Sequence, residues 1–357
     1  MMGEPHRPGE AELKHAIVGC GRIAPCHAEA FARLPGVKLW SCVDPVQERA
    51  SQLARQFSIS KVESSFEEVL ADPEVTSLSL AVPHDLHVPM AVRALELGKH
   101  VLVEKPVCLN TDEGARLLEV ARRARASVVP VVQHRYDPFV QIIRELVASG
   151  DLGQLRLVRA HLECLRAPEY YRESDWRGRW AREGGSVLIN QAYHMVDLLR
   201  LLAGPVKALS ANMATFAGPE VMQTEDTLVA SFVYQSGALG NLTLSGSAGS
   251  VWSSYIELLG AGGLIAFDIN YPNVIHRLQL NSKRAMQLWK KRFAEPLPEE
   301  FSAPPAGIGY YGTSHRLQAR AFVEAIRKGG SPALGGLEEA MEVVGLIQRI
   351  YASARAG

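Results

Sequence analysis

The first third of the chain alternates short apolar runs with stretches of helical period, and this alternation constrains the fold most. The runs are rich in Leu and β-branched residues and lie at 15–18, 37–43, 77–82, 100–103 and 127–132. Helix-compatible segments separate them. In the clearest, 87–97, Pro89 stands in the first turn and Gly98 just beyond the end. This rhythm is typical of βαβ units and predicts a parallel sheet.

The pattern changes after Asp137. An amphipathic segment at 139–148 is followed by alternating stretches, typical of antiparallel strands, at 154–165, 206–216, 227–234, 238–245, 255–259 and 264–268. One long helix is predicted at 187–202, and two more at 315–327 and 337–354. We therefore predict a flexible tail (1–13), a parallel α/β domain (14–136) and a second α/β domain (137–357) with a large, mainly antiparallel open sheet.

Charge and composition exclude several classes of function. The 357 residues include 38 Lys and Arg and 38 Asp and Glu, so the net charge of zero gives no general attraction to nucleic acids or acidic membranes. The basic segment 283–292 is interpreted as a solvated surface. No apolar run of about 18 residues occurs, and the first residues lack the apolar core of a signal peptide. We expect a cytoplasmic protein with neither nucleic-acid nor membrane partners.

The five cysteines are scattered, without a Cys-x-x-Cys pair. This argues against a disulfide framework and a structural zinc site, and predicts small buried thiols. No His, Cys and Asp cluster has the spacing of metal ligands, so no metal site is predicted.

A glycine-rich motif follows the first apolar run and precedes a helix-compatible stretch at 27–34. It reads Gly19-Cys20-Gly21-Arg22-Ile23-Ala24, the G-x-G-x-x-A form of the dinucleotide fingerprint. Gly19 permits a tight turn, Gly21 lets a pyrophosphate approach the backbone, and Ala24 allows close packing of helix on strand. Asp44, after the second run, is placed to accept hydrogen bonds from a ribose; alternatively, it forms a turn before Pro45. These features predict a Rossmann domain.

Several further motifs, in order, resemble the glucose-fructose oxidoreductase / inositol dehydrogenase / rhizopine catabolism (Gfo/Idh/MocA) family. The resemblance covers nearly the whole chain. The motifs that carry it are Ile17 to Phe31 (IVGCGRIAPCHAEAF), Pro83-His84-Asp85-Leu86-His87, Glu104-Lys105-Pro106, Gln133-His134-Arg135-Tyr136, Gly184 to Asp197 (GGSVLINQAYHMVD), and Tyr311 with the helix at His315.

The resemblance implies a Rossmann domain and an open-sheet domain with nicotinamide and substrate between them. Lys105 would be a catalytic ammonium that stabilises developing alkoxide charge, next to a cis Pro106. Alternatively, Glu-Lys-Pro is an exposed charged loop. His194 would exchange the hydroxyl proton; alternatively, it is a packing residue. Regular helical spacing would place Asn190, His194 and Asp197 on one face.

Two positions depart from the family pattern, which usually has a third glycine and an Asp four residues before the His. Here Ser186 and Asn190 occupy these positions, and Asn cannot offer a negative charge. We interpret the departure as substrate variation.

The implied sites can be given residue by residue. Lys105 and His194 are the predicted catalytic residues. The predicted cofactor contacts are Gly19, Gly21, Arg22, Ile23, Asp44, Pro83, His84, His87, Glu104, Lys105, Gln133, Trp176 and Arg177. The predicted substrate contacts are Lys105, Arg135, Tyr136, Tyr171, Arg177, Asn190, His194 and Tyr311. For Trp176 and Arg177 a surface packing cluster is the alternative. The predicted cofactor is NAD, with NADP disfavoured by the charge of Asp44.

The expected activity is hydride transfer between nicotinamide and a secondary carbinol or ketone of a sugar, cyclitol or nucleotide-linked sugar, in a homodimer or homotetramer. Two other classes share the scaffold. A nucleotide-sensing regulator needs only the cofactor cleft, and an imine or tetrapyrrole reductase does not require the Lys105 and His194 pair.

Overall fold

The computed structural model describes residues 12–249, 252–270, 273–297, 313–330 and 332–356. The described residues form two compact units. The first contains those of 12–136 and 313–341, and the second those of 137–297 and 342–356. Residues 1–11 of the predicted tail lie outside the described residues, whereas Leu13, at its end, already belongs to the first strand.

The first unit contains a parallel six-stranded sheet with the order β3-β2-β1-β4-β5-β6, which confirms the predicted doubly wound fold. The strands are β1 (Leu13–Val18), β2 (Val37–Val43), β3 (Lys61–Glu63), β4 (Ser77–Leu80), β5 (His100–Val103) and β6 (Val128–Pro130). The two central strands, β1 and β4, are almost wholly buried, because helices cover both faces of such a sheet.

The helices that flank this sheet follow the predicted alternation. They are α1 (Ala24–Ala32), α2 (Gln47–Phe57), α3 (Phe66–Ala71), α4 (His87–Glu96) and α5 (Thr111–Arg123), with short 3₁₀ turns at His84–Leu86 and Gln133–Tyr136. The apolar core between sheet and helices includes Ile17 and Phe31. All five cysteines are buried free thiols, as predicted.

Helix α11 (His315–Arg327) belongs to the first unit, although the sequence predicts it in the second domain. Phe322 joins the core at 6.1 Å from the ring of Phe31. The Gln318 side chain accepts a hydrogen bond from Val132 N (3.0 Å) and donates one to Pro130 O (2.8 Å). An amphipathic helix can cover any exposed apolar surface, so its position along the chain does not reveal which domain it completes.

The second unit contains a seven-stranded sheet with the order β13-β12-β11-β7-β10-β9-β8, antiparallel except for the β7–β10 pair. The strands are β7 (Leu155–Glu163), β8 (Val206–Ala214), β9 (Thr227–Tyr234), β10 (Leu239–Ser245), β11 (Ser253–Gly260), β12 (Gly263–Phe267) and β13 (Ile275–Leu280). Alternate residues of β9 are buried, as expected for a sheet packed on one face.

The helices of this unit complete the element order. They are α6 (Pro138–Ala148), α7 (Pro168–Arg172), α8 (Trp180–Glu183), α9 (Tyr193–Ala203), α10 (Lys283–Phe293) and α12 (Leu337–Ala356), the last containing the division between the units. The basic segment predicted to be a solvated surface is α10, which buries Trp289 and joins its indole N–H to Asp151 (2.7 Å). Among the described helices, none combines the length and apolarity needed to cross a membrane.

The predicted long helix at 187–202 is interrupted. Val187–Gln191 forms a π-helical turn, and α9 begins only at Tyr193. The buried carboxylate of Glu225 accepts hydrogen bonds from Ser186 N and Leu188 N at the start of this turn (3.1 and 2.9 Å). Because the π turn contains more residues than an α turn, the regular spacing that we used to align Asn190 with His194 does not hold.

Candidate active site

The glycine turn at the end of β1 fits a dinucleotide pyrophosphate. Gly19 has a φ of +89°, and a Cβ there would lie 2.3 Å from the Ala81 carbonyl oxygen, so only glycine fits. At Gly21 nothing lies within 4 Å of the Cβ position, which leaves the backbone open to a ligand. Helix α1 begins just beyond, at Ala24, and the positive end of its dipole favours an anion.

Asp44 lies directly after β2 and binds the glycine turn. Its carboxylate accepts hydrogen bonds from Cys20 N (2.8 Å) and from Val46 N (2.8 Å). The turn-forming role considered from the sequence is therefore real, and the carboxylate also lies beside the predicted pyrophosphate turn. In that turn Arg22 is exposed and Ile23 is half-buried.

His87 joins two loops of the first unit, where the sequence predicts a cofactor contact. Its Nδ1 lies 2.7 Å from Pro106 O and its Nε2 lies 2.9 Å from Val82 O, so both nitrogens face backbone carbonyls. Burial lowers the pKa of His87, although the two carbonyls oppose this. These two contacts hold the loops together, and the cofactor contact of His87 stays a prediction. Nearby, His84 is buried and Pro83 is half-buried.

Glu104 and Lys105 follow β5, at the edge where ligands bind to doubly wound sheets. The Glu104 carboxylate is buried and accepts hydrogen bonds from His27 Nε2 (2.9 Å) and Lys105 N (3.1 Å). Burial alone would raise the pKa of Glu104, but the His27 hydrogen bond and the nearby charges, including that of Lys105, lower it to about 2. Lys105 is half-buried, and its peptide bond to Pro106 is cis, as the resemblance implies.

Two histidines, His27 and His315, lie close to this carboxylate. His27 and His315 place their rings 5.6 Å apart, and His315 Nε2 lies 3.9 Å from Glu104. Burial lowers the pKa of His315 to about 3, and burial with the charge of Lys105 lowers that of His134 to about 4. His27, Glu104 and His315 each bring a potential metal-ligand atom within 4.8 Å of the others. Spacing could not reveal this group, because its members come from distant segments.

Three residues predicted to contact cofactor or substrate lie at the end of the first unit's sheet: Gln133, Arg135 and Tyr136. Gln133 is buried. The buried guanidinium of Arg135 forms an ion pair with Glu339, and the Tyr136 hydroxyl donates to Leu334 O (2.7 Å). These contacts lie within the first unit, and the substrate contacts of Arg135 and Tyr136 stay predictions.

In the second unit, Tyr171 and Arg177 also have packing partners. Tyr171 is buried with its hydroxyl 3.2 Å from Ser186 Oγ, and its predicted substrate contact stays a prediction. The Arg177 guanidinium lies over the rings of Tyr170 (4.3 Å) and Trp176 (5.2 Å) and donates to Tyr170 O (3.2 Å). This is the packing cluster considered as the alternative.

Arg177 and Tyr171 also line a cavity of about 480 Å³, bounded by residues 171–175, 177–179 and 219–223. Neither Asn190 nor His194 is among the lining residues. The cavity is therefore separate from the motif that carries the predicted acid/base histidine.

Asn190 binds a buried carboxylate that the sequence analysis did not identify. Its Nδ2 donates to Glu183 Oε1 (2.6 Å) and lies 3.4 Å from the Tyr170 hydroxyl. Glu183 also accepts from Gly178 N (2.5 Å). Burial raises the pKa of Glu183 to about 7, against the effect of these hydrogen bonds. The chain thus has Asn at the position of the family's carboxylate and supplies a carboxylate from Glu183 instead.

A second buried carboxylate organises the backbone beneath the π turn. Glu225 accepts from Tyr351 Oη (2.8 Å) in addition to Ser186 and Leu188, and burial raises its pKa to about 6. Gly185 has a φ of +141°, and a Cβ there would lie 1.9 Å from Tyr351 Oη. Glycine is therefore required at this position of the Gly-Gly-Ser motif.

His194 is the second residue of α9. It is half-buried, and its ring lies 5.8 Å from that of Tyr193 in an edge-on arrangement. Asp197, one turn further on, is buried. The predicted substrate contact Tyr311 lies outside the described residues. The predicted site residues that are described thus form two groups, one in each unit.

Comparison with protein families gives two matches that follow the chain in order. Residues 13–131 match the "Oxidoreductase family, NAD-binding Rossmann fold", and residues 140–266 match the "GFO/IDH/MocA C-terminal domain".

Individual relatives span most of the chain. Levoglucosan dehydrogenase of Pseudarthrobacter phenanthrenivorans is 23% identical over 354 residues, covering 89% of this chain and 90% of the relative. The scyllo-inositol 2-dehydrogenase (NAD(+)) of Bacillus subtilis is 25% identical over 260 residues (72% and 74%). The crystal structure of the WlbA dehydrogenase from Bordetella pertussis in complex with NADH and UDP-GlcNAcA superposes with a TM-score of 0.83 at 25% identity, covering 98% of this chain and 97% of that one.

Proposed function

Because the chain belongs to the Gfo/Idh/MocA oxidoreductase family, we propose that it is an NAD-dependent dehydrogenase that oxidises a secondary carbinol of a sugar, cyclitol or nucleotide-linked sugar, or reduces the corresponding ketone. The observation that carries this proposal is Lys105, which follows β5 at the carboxyl edge of the sheet with a buried, ionised Glu104 beside it.

The first unit suits the cofactor. Gly19 and Gly21 would receive the pyrophosphate at the start of α1, and Asp44 would accept hydrogen bonds from a ribose. When bound, NAD supplies the hydride acceptor for the carbinol carbon.

The side chains of this protein would manage the proton and the developing charge. The Lys105 ammonium would donate a hydrogen bond to the reacting oxygen and stabilise alkoxide character. His194 would take the hydroxyl proton during oxidation and return it during reduction. Both residues are half-buried, which leaves each of them partly accessible.

The polyhydroxylated substrate class is supported by the relatives and by the polar residues of the second unit. The relatives named above act on an inositol or on levoglucosan, or were crystallised with UDP-GlcNAcA. Asn190 and Gln191 belong to a network with Tyr170, Glu183 and Arg166. Sugar hydroxyls, which both donate and accept, can join such a network, whereas an apolar ketone offers it no donor.

The test is an absorbance screen for NADH formation with polyols, hexoses, inositols and uridine-diphosphate sugars. We expect turnover with at least one member of the panel. Tight NAD binding without turnover on any of them, in either direction, would contradict the proposed reaction and favour a nucleotide-sensing role.

We also expect the cofactor to be NAD rather than NADP. A 2′-phosphate about 4 Å from the Asp44 carboxylate would meet a repulsion of about 4 kcal/mol per charge pair at an effective dielectric constant near 20. Calorimetric titration with both cofactors measures this preference. Asp44→Asn should reduce the difference in affinity between NAD and NADP, because the amide oxygen still accepts a hydrogen bond but the charge is removed. Equal affinity of the unmodified protein for NAD and NADP would refute the prediction.

A further inference from the structure

Five buried side chains in the first unit form one hydrogen-bonded chain that ends on Glu104. Ser77 Oγ lies 2.8 Å from His15 Nδ1, and His15 Nε2 lies 2.9 Å from Ser79 Oγ. Ser79 Oγ lies 3.1 Å from His27 Nδ1, and His27 Nε2 lies 2.9 Å from Glu104 Oε1. The two serines and two histidines are at most 1% exposed. Such a chain is costly to bury unless every member is satisfied.

The proton positions along the chain follow from its two ends. Glu104 is ionised and can only accept, so His27 Nε2 must carry the hydrogen that joins them. His15 is neutral, because burial, reinforced by His27, lowers its pKa. With that hydrogen at Nε2, His27 Nδ1 can accept from Ser79, Ser79 can accept from His15 Nε2, and His15 Nδ1 can accept from Ser77. Every donor then points towards Glu104.

The other carboxylate oxygen of Glu104 binds the backbone of the predicted catalytic lysine. Glu104 Oε2 accepts from Lys105 N (3.1 Å), and the Lys105 charge interacts with the carboxylate. The titratable groups that also face Glu104 are His27 and Cys26 on α1, His87 on α4 and His315 on α11. His87 and His315 are neutral near pH 7, because burial lowers the pKa of each.

We propose that His27, supported by Ser79 and His15, is a positioning residue for Lys105: it holds Glu104 as an oriented carboxylate, which fixes the Lys105 backbone and interacts with the Lys105 charge. This inference rests on the proposed function for the role of Lys105. The same geometry disfavours a metal at His27, Glu104 and His315. A divalent cation would have to replace the proton between His27 and Glu104 while facing the Lys105 charge.

The test compares His27→Phe, which removes both hydrogen bonds, with His27→Gln, whose amide can still donate to Glu104. Carboxyl ¹³C NMR of glutamate-labelled protein, assigned with Glu104→Gln, follows the titration of Glu104 without substrate. We expect its midpoint to rise by roughly one pH unit or more in His27→Phe and to return towards that of the unmodified protein in His27→Gln. The kcat near neutral pH should fall in His27→Phe and recover towards that of the unmodified protein in His27→Gln, while the Kd for NAD changes little.

If His27→Phe does not fold, Ser79→Ala tests the same hydrogen-bonded chain, with Ser41→Ala as its control. Ser79→Ala should shift the Glu104 titration in the same direction by a smaller amount. Ser41→Ala is the matched control, because Ser41 is equally buried in the same sheet, and its hydroxyl has no hydrogen-bond partner among the described residues. It should leave the titration and the turnover unchanged.

Several outcomes would overturn the proposal. These are an unchanged Glu104 titration in both His27→Phe and Ser79→Ala, a kcat that stays unchanged when the titration moves, or one equivalent of transition metal in dialysed protein that is lost in His27→Phe. Absence of dehydrogenase activity in the unmodified protein would instead refute the proposed function, since the NMR titration is independent of turnover.

Discussion

Lys105→Met and His194→Asn are each expected to lower turnover by roughly 10² to 10⁴ while leaving a folded protein that binds NAD. Met retains the length and apolar stem of lysine but removes the ammonium that would stabilise alkoxide charge. Asn retains polarity at 194 but cannot exchange a proton near neutral pH. Steady-state kinetics on the substrate from the screen gives the loss, and calorimetry with NAD gives cofactor affinity.

The two variants also separate the enzyme from the regulator. If both retain full turnover, the assigned chemistry is wrong. If the unmodified protein binds NAD but has no turnover to lose, the nucleotide-sensing alternative gains support. Arg122→Ala is a suitable control, because Arg122 lies on the exposed face of α5 in an exposed ion pair with Glu338. It should change neither turnover nor NAD affinity.

Asn190→Asp, which would restore the carboxylate that the family usually has, is expected to destabilise this protein. The new carboxylate would lie about where Asn190 Nδ2 now contacts Glu183 Oε1 at 2.6 Å, so a half-buried carboxylate would meet the buried, like-charged carboxylate of Glu183. Removing the partner of a buried charge costs about 3 to 5 kcal/mol, and we expect a loss of that order in the free energy of unfolding at pH 8. At pH 5 the two carboxylates can share a proton, so the loss should be much smaller.

A double-mutant cycle with Glu183→Gln isolates the interaction. The double variant, which combines Asn190→Asp with Glu183→Gln, should recover most of the stability at pH 8, because the new glutamine amide can donate a hydrogen bond to the carboxylate introduced at position 190. Urea unfolding at both pH values measures each corner of the cycle. A double variant no more stable than Asn190→Asp would contradict the assigned contact.

Glu183→Gln alone should change how stability depends on pH. The pKa of Glu183 is raised in the folded protein from 4.5 to about 7, so the folded state binds more protons than the unfolded state between these values. Stability from this group is therefore present at low pH and is lost as pH rises through about 4.5 to 7, by roughly 3 kcal/mol in all. Replacing Glu183 should flatten that part of the stability profile, measured by urea unfolding between pH 4.5 and 8.

Local backbone geometry and the spacing of apolar residues set those features of this protein that could be predicted from its sequence. The turn at Gly19 needs a positive φ, and the β-branched runs and the start of α4 at His87 depend on neighbouring residues, so each has a short-range signal. The order of motifs along the chain was sufficient for the family and the two-domain fold.

Tertiary structure decided which side chains meet. His27 reaches Glu104 because parallel strands bring α1 and the end of β5 to the same edge, and α11 adds His315 to them from the far end of the chain. Glu225 accepts hydrogen bonds from the backbone amides of Ser186 and Leu188, and a π turn replaces the regular helix there. In this turn Asn190 lies within hydrogen-bond distance of Glu183. The contact of His27 with Glu104 is a buried polar pair between distant segments, and local propensity contains no information about a partner that only the folded chain brings within 3 Å.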